Sequence, residues 1–324
     1  MSRIAINKNS PDKWKQDIAL SVDLYNSWFM EFAPKTYHAM RLEVTKNVKQ
    51  ALAETNNFMN ISIDLLRRQP EILPILRMST CPPIARDRLI GLAGVSKTLV
   101  GSMEDLLDPR IPPRIAPDRV NNELKHICAL IQKMADVDIF VWLNRKAQAT
   151  ESEVSRAVTI VADRLCSSVS DPIIRNAQEK RQLDAIGDWL RFRNYQQVGG
   201  FKFNEMRPGT FSFRTNVQVT LSGNTNTAQL NIPVDVVIMP MEAREGDLPL
   251  LIEAKSAGDF TNVNKRRKEE AQKMAQLKNT YGEEIRFGLF LCGYFDTGYL
   301  GYEAAEGIDW VWEHRIDDLA LYGL

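Results

Sequence analysis

Two short apolar segments decide the fold of this chain: NIPVDVVIMP at residues 231–240 and LPLLIEAKSAG at residues 248–258. Both are rich in aliphatic residues, which predicts two buried strands. Each nevertheless carries charge, because Asp235 lies in the first segment and Glu253 and Lys255 lie in the second. Side chains alternate between the faces of a strand, so Glu253 and Lys255 point to the same face. The polar loop between the segments is long enough to turn the chain back, which places the three charged groups at one spot on a sheet.

Two carboxylates at one spot on a sheet are costly to bury unless a cation neutralises them. Mg²⁺ prefers oxygen ligands and keeps several waters, so Asp235 and Glu253 with a substrate phosphate would suit it. Lys255 would then hold or help deprotonate the attacking water and stabilise negative charge at phosphorus. We interpret the three residues as a site for phosphodiester hydrolysis. The alternative is an ordinary ion pair on a half-exposed strand, because Glu-x-Lys alone is a common pattern.

The composition is ordinary for a globular protein, with 44% hydrophobic and 25% charged residues among 324. No apolar run approaches the roughly 20 residues of a membrane span, and the N-terminus lacks a signal-peptide core. The four cysteines are widely spaced, which is typical of free thiols in a reducing cytosol. We therefore expect a cytoplasmic protein with no membrane contact. Three scattered histidines form no zinc-binding pattern.

The charge distribution is more informative than the net charge, which is zero. Residues 175–215 and 261–286 each carry about twice as many basic as acidic side chains, whereas residues 287–324 are acidic. Basic density therefore flanks the candidate site on both sides along the chain.

The first third of the chain is predicted to be helical. Apolar spacing predicts a helix at 14–32 that Pro34 ends, followed by a second helix. Four prolines at 108–118 indicate a linker. We therefore expect a helical N-terminal region at 1–117 and a catalytic region at 118–324.

Residues 85–104 form a pattern of their own within the helical region. Gly94 interrupts the apolar spacing, and Ser96 is placed to begin a second helix. This pattern is similar to a helix-turn-helix, which would bring Lys97 and Thr98 to a DNA groove. A plain helical hairpin explains the same residues, and we prefer that interpretation.

From residue 171 onwards the predicted elements follow a specific order. Asp171 and Pro172 are placed to begin a helix that runs to about 193. Strict alternation at 211–220 predicts a half-buried strand, and the two opening segments supply the next two strands. A helix at 264–281 and a last buried strand at 286–292 complete the order α-β-β-β-α-β.

This order, with Asp235 on the second strand and Glu253-x-Lys255 on the third, resembles the core of the PD-(D/E)xK nuclease superfamily over residues 171–292. The proline stands two residues before Asp235 instead of one. Across nearly the whole chain the sequence also resembles the XamI family of type II restriction endonucleases. The phrases that carry this resemblance are WFMEFAP (28–34), MSTCPP (78–83), ARDRLIGLAGVS (85–96), LIEAKSAGDF (251–260), GYFDTGYLGY (293–302) and WVWEHR (310–315).

The resemblance implies an α/β fold with a mixed sheet flanked by helices. It also implies Mg²⁺-dependent, sequence-specific hydrolysis of double-stranded DNA that leaves 5′-phosphate ends, with Asp235, Glu253 and Lys255 as catalytic residues. A two-fold DNA site favours a homodimer, and a restriction enzyme is expected to be paired with a cognate DNA methyltransferase.

A further carboxylate and several basic residues are candidates beside these three. Glu179 ends a stripe of apolar residues on the preceding helix, so it is either capped by an arginine or reaches the metal. Both alternatives stay open. The candidate DNA contacts outside the hairpin are Arg181, Arg214, Lys265, Arg266, Arg267 and Lys268.

Two other functions fit parts of the sequence. Another PD-(D/E)xK DNA nuclease, such as a repair or junction-resolving enzyme, would keep the same catalytic residues. A regulator without enzyme activity would bind DNA through the 85–104 hairpin and would have no use for Asp235, Glu253 and Lys255.

Overall fold

A computed structural model describes residues 5–145, 147–199, 203–222, 227–261 and 263–324. The side chains of Lys265, Arg266 and Arg267, three candidate DNA contacts, lie outside the described part. The glycines at 199 and 200 predict a loop, and the segment GNTN at 223–226 predicts a turn into the next strand. Gly200 and residues 223–226 also lie outside the described part. Among the described residues, no helix combines the length and the apolar character that crossing a membrane requires.

Helices precede, interrupt and follow one six-stranded sheet. The helices are α1 (Pro11–Glu54), α2 (Ile63–Arg68), α3 (Leu73–Met78), α4 (Arg86–Ala93), α5 (Lys97–Met103), α6 (Pro117–Met134), α7 (Trp142–Arg145), α8 (Glu151–Phe192), α9 (Val263–Tyr281) and α10 (Thr297–Ala305), with 3₁₀ turns at Pro70–Ile72, Phe203–Glu205 and Glu313–Tyr322. The strands are β1 (Gln196–Gln197), β2 (Thr210–Ser222), β3 (Thr227–Met239), β4 (Leu250–Ala257), β5 (Arg286–Gly293) and β6 (Asp309–Trp312).

Two helix boundaries predicted at prolines are wrong. Pro34 lies inside α1 and Pro172 lies inside α8. An internal proline removes one helical hydrogen bond and costs about 3 kcal/mol. Each helix nevertheless continues, because apolar residues on both sides of its proline are buried. In α1, Trp14 is buried before Pro34 and Val48 after it. In α8, apolar residues before and after Pro172 are buried in two different cores. Burial on both sides outweighs the local preference to stop.

The chain divides into two compact units. One unit combines residues 1–32 with 175–324, and the other comprises residues 33–174. The divisions fall inside α1 and α8, each within three residues of the internal proline. The boundary expected at residues 117 and 118 lies inside the second unit, so the assignment of nuclease function to residues 118–324 stays a prediction.

The second unit is helical and has its own core, built mainly from α1 to α6 and the first half of α8. Within it, α4 and α5 form the expected helical pair. Gly94 adopts a left-handed φ of 63° at the end of α4, and the Ser96 hydroxyl accepts a hydrogen bond from the Leu99 amide at 3.2 Å. Lys97 and Thr98 are exposed at the start of α5. Their proposed contact with a DNA groove stays a prediction.

The sheet belongs to the first unit and has the order β1-β2-β3-β4-β5-β6. Strand β2 pairs antiparallel with β3, and β3 pairs antiparallel with β4. The pairs β1–β2, β4–β5 and β5–β6 are parallel. The predicted elements are present in order as α8-β2-β3-β4-α9-β5, in a mixed α/β fold, but the two-residue strand β1 lies between α8 and β2 and was not predicted. The interpretation of 286–292 as the last strand is wrong, because β6 continues the sheet.

Each face of the sheet has its own core. Leu251, Val217 and Leu291 pack on one face with Met274 and Leu277 of α9. Ile252, Phe211 and Phe290 pack on the other face with Leu183, Ile186 and Leu190 of α8. The helices before and after the three central strands therefore cover opposite faces, and β4 is buried from both sides.

Strand β2 changes phase at Arg214, which the strict alternation in sequence does not reveal. Phe211 belongs to the core beside α8, whereas Val217 belongs to the core beside α9, although both occupy odd positions. Arg214 interrupts the β2–β3 ladder with a φ of 50°. Its place in the register is opposite Asp235, since Phe213 pairs with Val236 and Thr215 pairs with Val234. A side chain with positive φ inside a strand marks local strain.

Candidate active site

The three charged residues of the central strands lie together. The β3–β4 ladder ends with Val236 opposite Ile252, so Asp235 and Glu253 are the next residues in the same register. The Asp235 carboxylate accepts a hydrogen bond from the Ala254 amide at 2.9 Å. Lys255 Nζ lies 3.9 Å from Glu253 Oε2. The register of two antiparallel strands therefore brings two carboxylates and an ammonium to one point.

Helix α9 adds two charged residues that sequence reasoning missed. Glu270 Oε1 lies 3.3 Å from Lys255 Nζ. Lys273 Nζ contacts Glu253 Oε1 and donates to the Pro233 carbonyl oxygen at 2.8 Å. The four side chains therefore alternate in charge, from Glu270 through Lys255 and Glu253 to Lys273.

The four charges interact strongly because the two carboxylates are buried. The side chains of Glu253 and Glu270 are 3% and 1% exposed, respectively. Burial raises the pKa of Glu270, and the nearby Lys255 opposes this rise. Burial also lowers the pKa of Lys273, and the charge of Asp235 opposes this fall. Both shifts have the direction that desolvation of a charged group produces.

Spacing on α9 was the available signal for the missed residues. Glu270 precedes Met274 by four positions and Leu277 by seven, which places it on the buried face of the helix. Lys273 is adjacent to that face. Charged residues beside an apolar stripe usually point to solvent, so spacing alone did not mark Lys273 as part of a site.

Helix α8 holds the backbone of strand β4 from the other face. Gln182 is 1% exposed, and its Nε2 donates to the carbonyl oxygens of Lys255 at 3.3 Å and Phe290 at 3.4 Å. These two carbonyls belong to the paired strands β4 and β5. Gln182 therefore fixes the strand at Lys255, and the sequence pattern did not identify it.

The arrangement of Glu179 matches one of the two alternatives drawn from the sequence. Its Oε1 accepts hydrogen bonds from Arg214 Nε at 3.2 Å and Nη2 at 2.9 Å. The two side chains are 40% and 64% exposed, so solvent weakens this pair. Glu179 is capped by an arginine, and a further role as a metal ligand stays a prediction.

The oxygen donors at the site fit a hard divalent cation. Asp235 and Glu253 offer carboxylate oxygens, and Mg²⁺ needs only one or two carboxylates when water and substrate phosphate fill its other positions. Among the described residues, no group of three or more His, Cys, Asp and Glu side chains is placed to hold a metal alone. Asp235 and Glu253 offer the number of carboxylates that Mg²⁺ needs when water and substrate phosphate supply its other ligands.

The other candidate DNA contacts have different surroundings. Arg181 Nη2 lies 3.0 Å from the Glu313 carboxylate and 3.3 Å from Cys292 Sγ, and its guanidinium lies 5.2 Å from the centre of the Trp28 ring. Its charge is therefore already paired. Lys268 is exposed in the second turn of α9. These positions leave the assignment of both residues to DNA binding as a prediction.

Comparison with known proteins gives independent evidence about the family that this chain is similar to. Residues 56–312 match the family described as XamI restriction endonuclease. The type II restriction enzyme SalI from Streptomyces albus G is 50% identical over 321 residues, which cover 98% of this chain and 99% of that enzyme. The crystal structure of protein VC1899 from Vibrio cholerae aligns with 85% of this chain at 12% identity. The aligned part spans 55% of that protein with a TM-score of 0.25, a similarity too low to carry an argument.

Proposed function

This chain belongs to the XamI restriction endonuclease family, and from that premise we propose that Asp235, Glu253 and Lys255 are its catalytic residues. The protein is a type II restriction endonuclease, a site-specific deoxyribonuclease that acts on double-stranded DNA. The observation that carries the proposal is the strand register, which sets Asp235 beside Glu253 with Lys255 two residues further along β4. We assign the PD-(D/E)xK fold to the core at residues 171–292 within the predicted catalytic region 118–324.

We propose Mg²⁺ as the cofactor, held by Asp235 and Glu253. The ion would supply positive charge beside the scissile phosphate and make water a stronger acid. Glu179 is a further candidate ligand if it leaves Arg214. The Asp235 carboxylate is oriented by the Ala254 amide at 2.9 Å, which leaves its other oxygen for the cation.

Lys255 would act on the reacting phosphate. Its ammonium donates hydrogen bonds to the attacking water or to a phosphate oxygen, where negative charge develops in the transition state. Gln182 holds the Lys255 carbonyl, and Glu270 holds its ammonium. The side chain is therefore positioned from both ends. Water oxygen bonds to phosphorus and the bond to the 3′ oxygen breaks, which leaves a 5′-phosphate and a 3′-hydroxyl.

DNA contacts and partners complete the proposal. A two-fold recognition sequence favours a homodimer in which each subunit cuts one strand. A cognate DNA methyltransferase would protect the host sequence in the cytoplasm. The proposed DNA contacts, which attract phosphates or reach a groove, are Lys97, Thr98, Arg181, Arg214, Lys265, Arg266, Arg267 and Lys268.

Digestion of plasmid or phage DNA tests this function. With Mg²⁺ the purified protein should give a few discrete fragments whose ends are related by two-fold symmetry. EDTA should abolish cleavage, and Asp235→Asn and Glu253→Gln should each reduce it by several orders of magnitude while DNA binding persists. Methylation of the cut site should block cleavage, because a methyl group occupies the groove edge that is read.

Other outcomes would overturn specific parts of the proposal. Cleavage confined to branched DNA would indicate a junction-resolving enzyme. Full cleavage by both carboxylate variants would remove Asp235 and Glu253 from the catalytic site. Tight binding to one sequence without cleavage under any divalent cation would favour a regulator.

A further inference from the structure

Lys273 reaches the proposed cation site from helix α9. Its Nζ contacts Glu253 Oε1 and also donates to the Pro233 carbonyl oxygen at 2.8 Å. Pro233 stands two residues before Asp235 on β3. The ammonium therefore bridges the two strands that carry the carboxylates, on the side where Glu253 presents an oxygen.

The charges at the site pair off in a way that leaves Glu253 to Lys273. The Glu253 side chain is 3% exposed, so its charge requires a partner inside the protein. Lys255 Nζ is 3.9 Å from Glu253 but only 3.3 Å from Glu270. Lys255 is therefore mainly the counter-ion of Glu270, and Lys273 is the counter-ion of Glu253.

We propose that Lys273 is an internal counter-cation that a divalent metal ion must displace from Glu253. The inference rests on the proposed function, because it takes Glu253 as a metal ligand. Lys273 Nζ contacts Glu253 Oε1, one of the two carboxylate oxygens that a divalent ion would need. Two cations on one carboxylate oxygen repel each other strongly.

The side chain is built for such a movement. A lysine ammonium is a compact charge on a flexible four-carbon stem, and the Lys273 side chain is 22% exposed, so it has a route to solvent. The free protein would keep its buried carboxylate neutralised by Lys273. The cation affinity would then be reduced by the free energy of the contact that it has to break, by linkage.

Calcium binding to the full-length protein tests the inference without any cleavage step. Isothermal titration calorimetry would compare the wild type with Lys273→Met, which removes the charge and keeps an unbranched stem. Lys278→Met is the matched control, because Lys278 lies on the same helix and pairs with Glu283 at 3.1 Å instead. We expect the Ca²⁺ Kd of Lys273→Met to fall at least tenfold and that of Lys278→Met to stay unchanged. An unchanged, undetectable or weaker affinity in Lys273→Met would overturn the inference.

A measurement on the wild-type protein keeps the inference testable if Lys273→Met does not fold. Acetylation of lysines followed by mass spectrometry reports the accessibility of each ammonium. We expect the labelled fraction of Lys273 to rise as Ca²⁺ is added, while that of Lys278 stays constant. A Lys273 signal that does not rise with Ca²⁺ would contradict displacement.

The fate of the proposed function is distinguishable in the same experiments. If Glu253→Gln loses cleavage and Lys273→Met keeps the wild-type Kd, the displacement is wrong and the proposed function stands. If Glu253→Gln binds Ca²⁺ as tightly as the wild type, Glu253 is not a metal ligand. The displacement of Lys273 and the proposed role of Glu253 in cleavage are then both wrong.

Discussion

Replacing Lys255 by methionine should destabilise the protein as well as slow cleavage. Methionine keeps most of the apolar stem but leaves Glu270 without its cation. The Glu270 side chain is 1% exposed, and Lys255 Nζ lies 3.3 Å from its Oε1. Burial already raises the pKa of Glu270, and Lys255 opposes this rise. Without Lys255 we expect this pKa to rise further.

The expected loss of unfolding free energy is about 3 kcal/mol at pH 7. Removing one partner of a buried ion pair costs about 3–5 kcal/mol. Glu270 can limit that cost by taking up a proton, which at pH 7 costs about 3 kcal/mol for a carboxyl with an ordinary pKa of 4.5. An acid with a raised folded pKa contributes stability below its unfolded pKa and loses it as pH rises. The loss of unfolding free energy in Lys255→Met should therefore be smaller at pH 5.5 than at pH 7.

Urea unfolding at pH 7 and pH 5.5 measures this cost in the wild type, Lys255→Met, Glu270→Gln and the double variant. The double variant should recover most of the stability at pH 7, because it buries no unpaired carboxylate. It should not recover cleavage, which we expect to stay about 10²–10³-fold below the wild type, since the transition state lacks a donor. The reasoning would be refuted if the double variant regained as much unfolding free energy at pH 5.5 as at pH 7. It would also be refuted if the double variant were no more stable than Lys255→Met.

Three further predictions concern other residues. Glu179→Gln should raise the Mg²⁺ concentration for half-maximal cleavage if Glu179 binds the metal; an unchanged concentration would leave the contact with Arg214 as its role. Replacing Lys265 and Lys268 by alanine should weaken binding to all DNA sequences alike and lower the salt slope by roughly two units, and an unaltered slope would make both surface charges. Burial lowers the pKa of His314 from 6.5, so stability should fall as pH drops below that value. In thermal unfolding the stability of His314→Gln should fall less than that of the wild type between pH 7.5 and pH 5.5, and equal losses of stability would contradict this role of His314.

The order of the central elements was accessible from the sequence. Alternating and β-branched segments identified β2, β3 and β4, and a periodic stripe identified α9, because these signals are local. The placement of Asp235 and Glu253 together followed from strand periodicity and from a polar loop long enough to turn the chain back. The family assignment also followed from residue phrases and was confirmed by the comparisons.

The local signals were misleading where tertiary burial competed with them. Pro34 and Pro172 are helix breakers by their own chemistry, yet α1 and α8 pass through them because each half has a core to pack against. The strict alternation around Arg214 suggested one buried face for β2. The strand instead changes phase at that residue and contributes to two cores.

By itself the sequence therefore determined which residues share a face along each strand, and so predicted that Asp235, Glu253 and Lys255 lie together. Only the tertiary structure decided that Glu270 and Lys273 complete the charge alternation. The physical reason is that strand periodicity relates neighbouring positions on one sheet, whereas the rotation of α9 over that sheet depends on how Met274 and Leu277 pack into the core. Helix spacing places Glu270 on the buried face of α9, but which strand residues that face meets depends on many distant residues together.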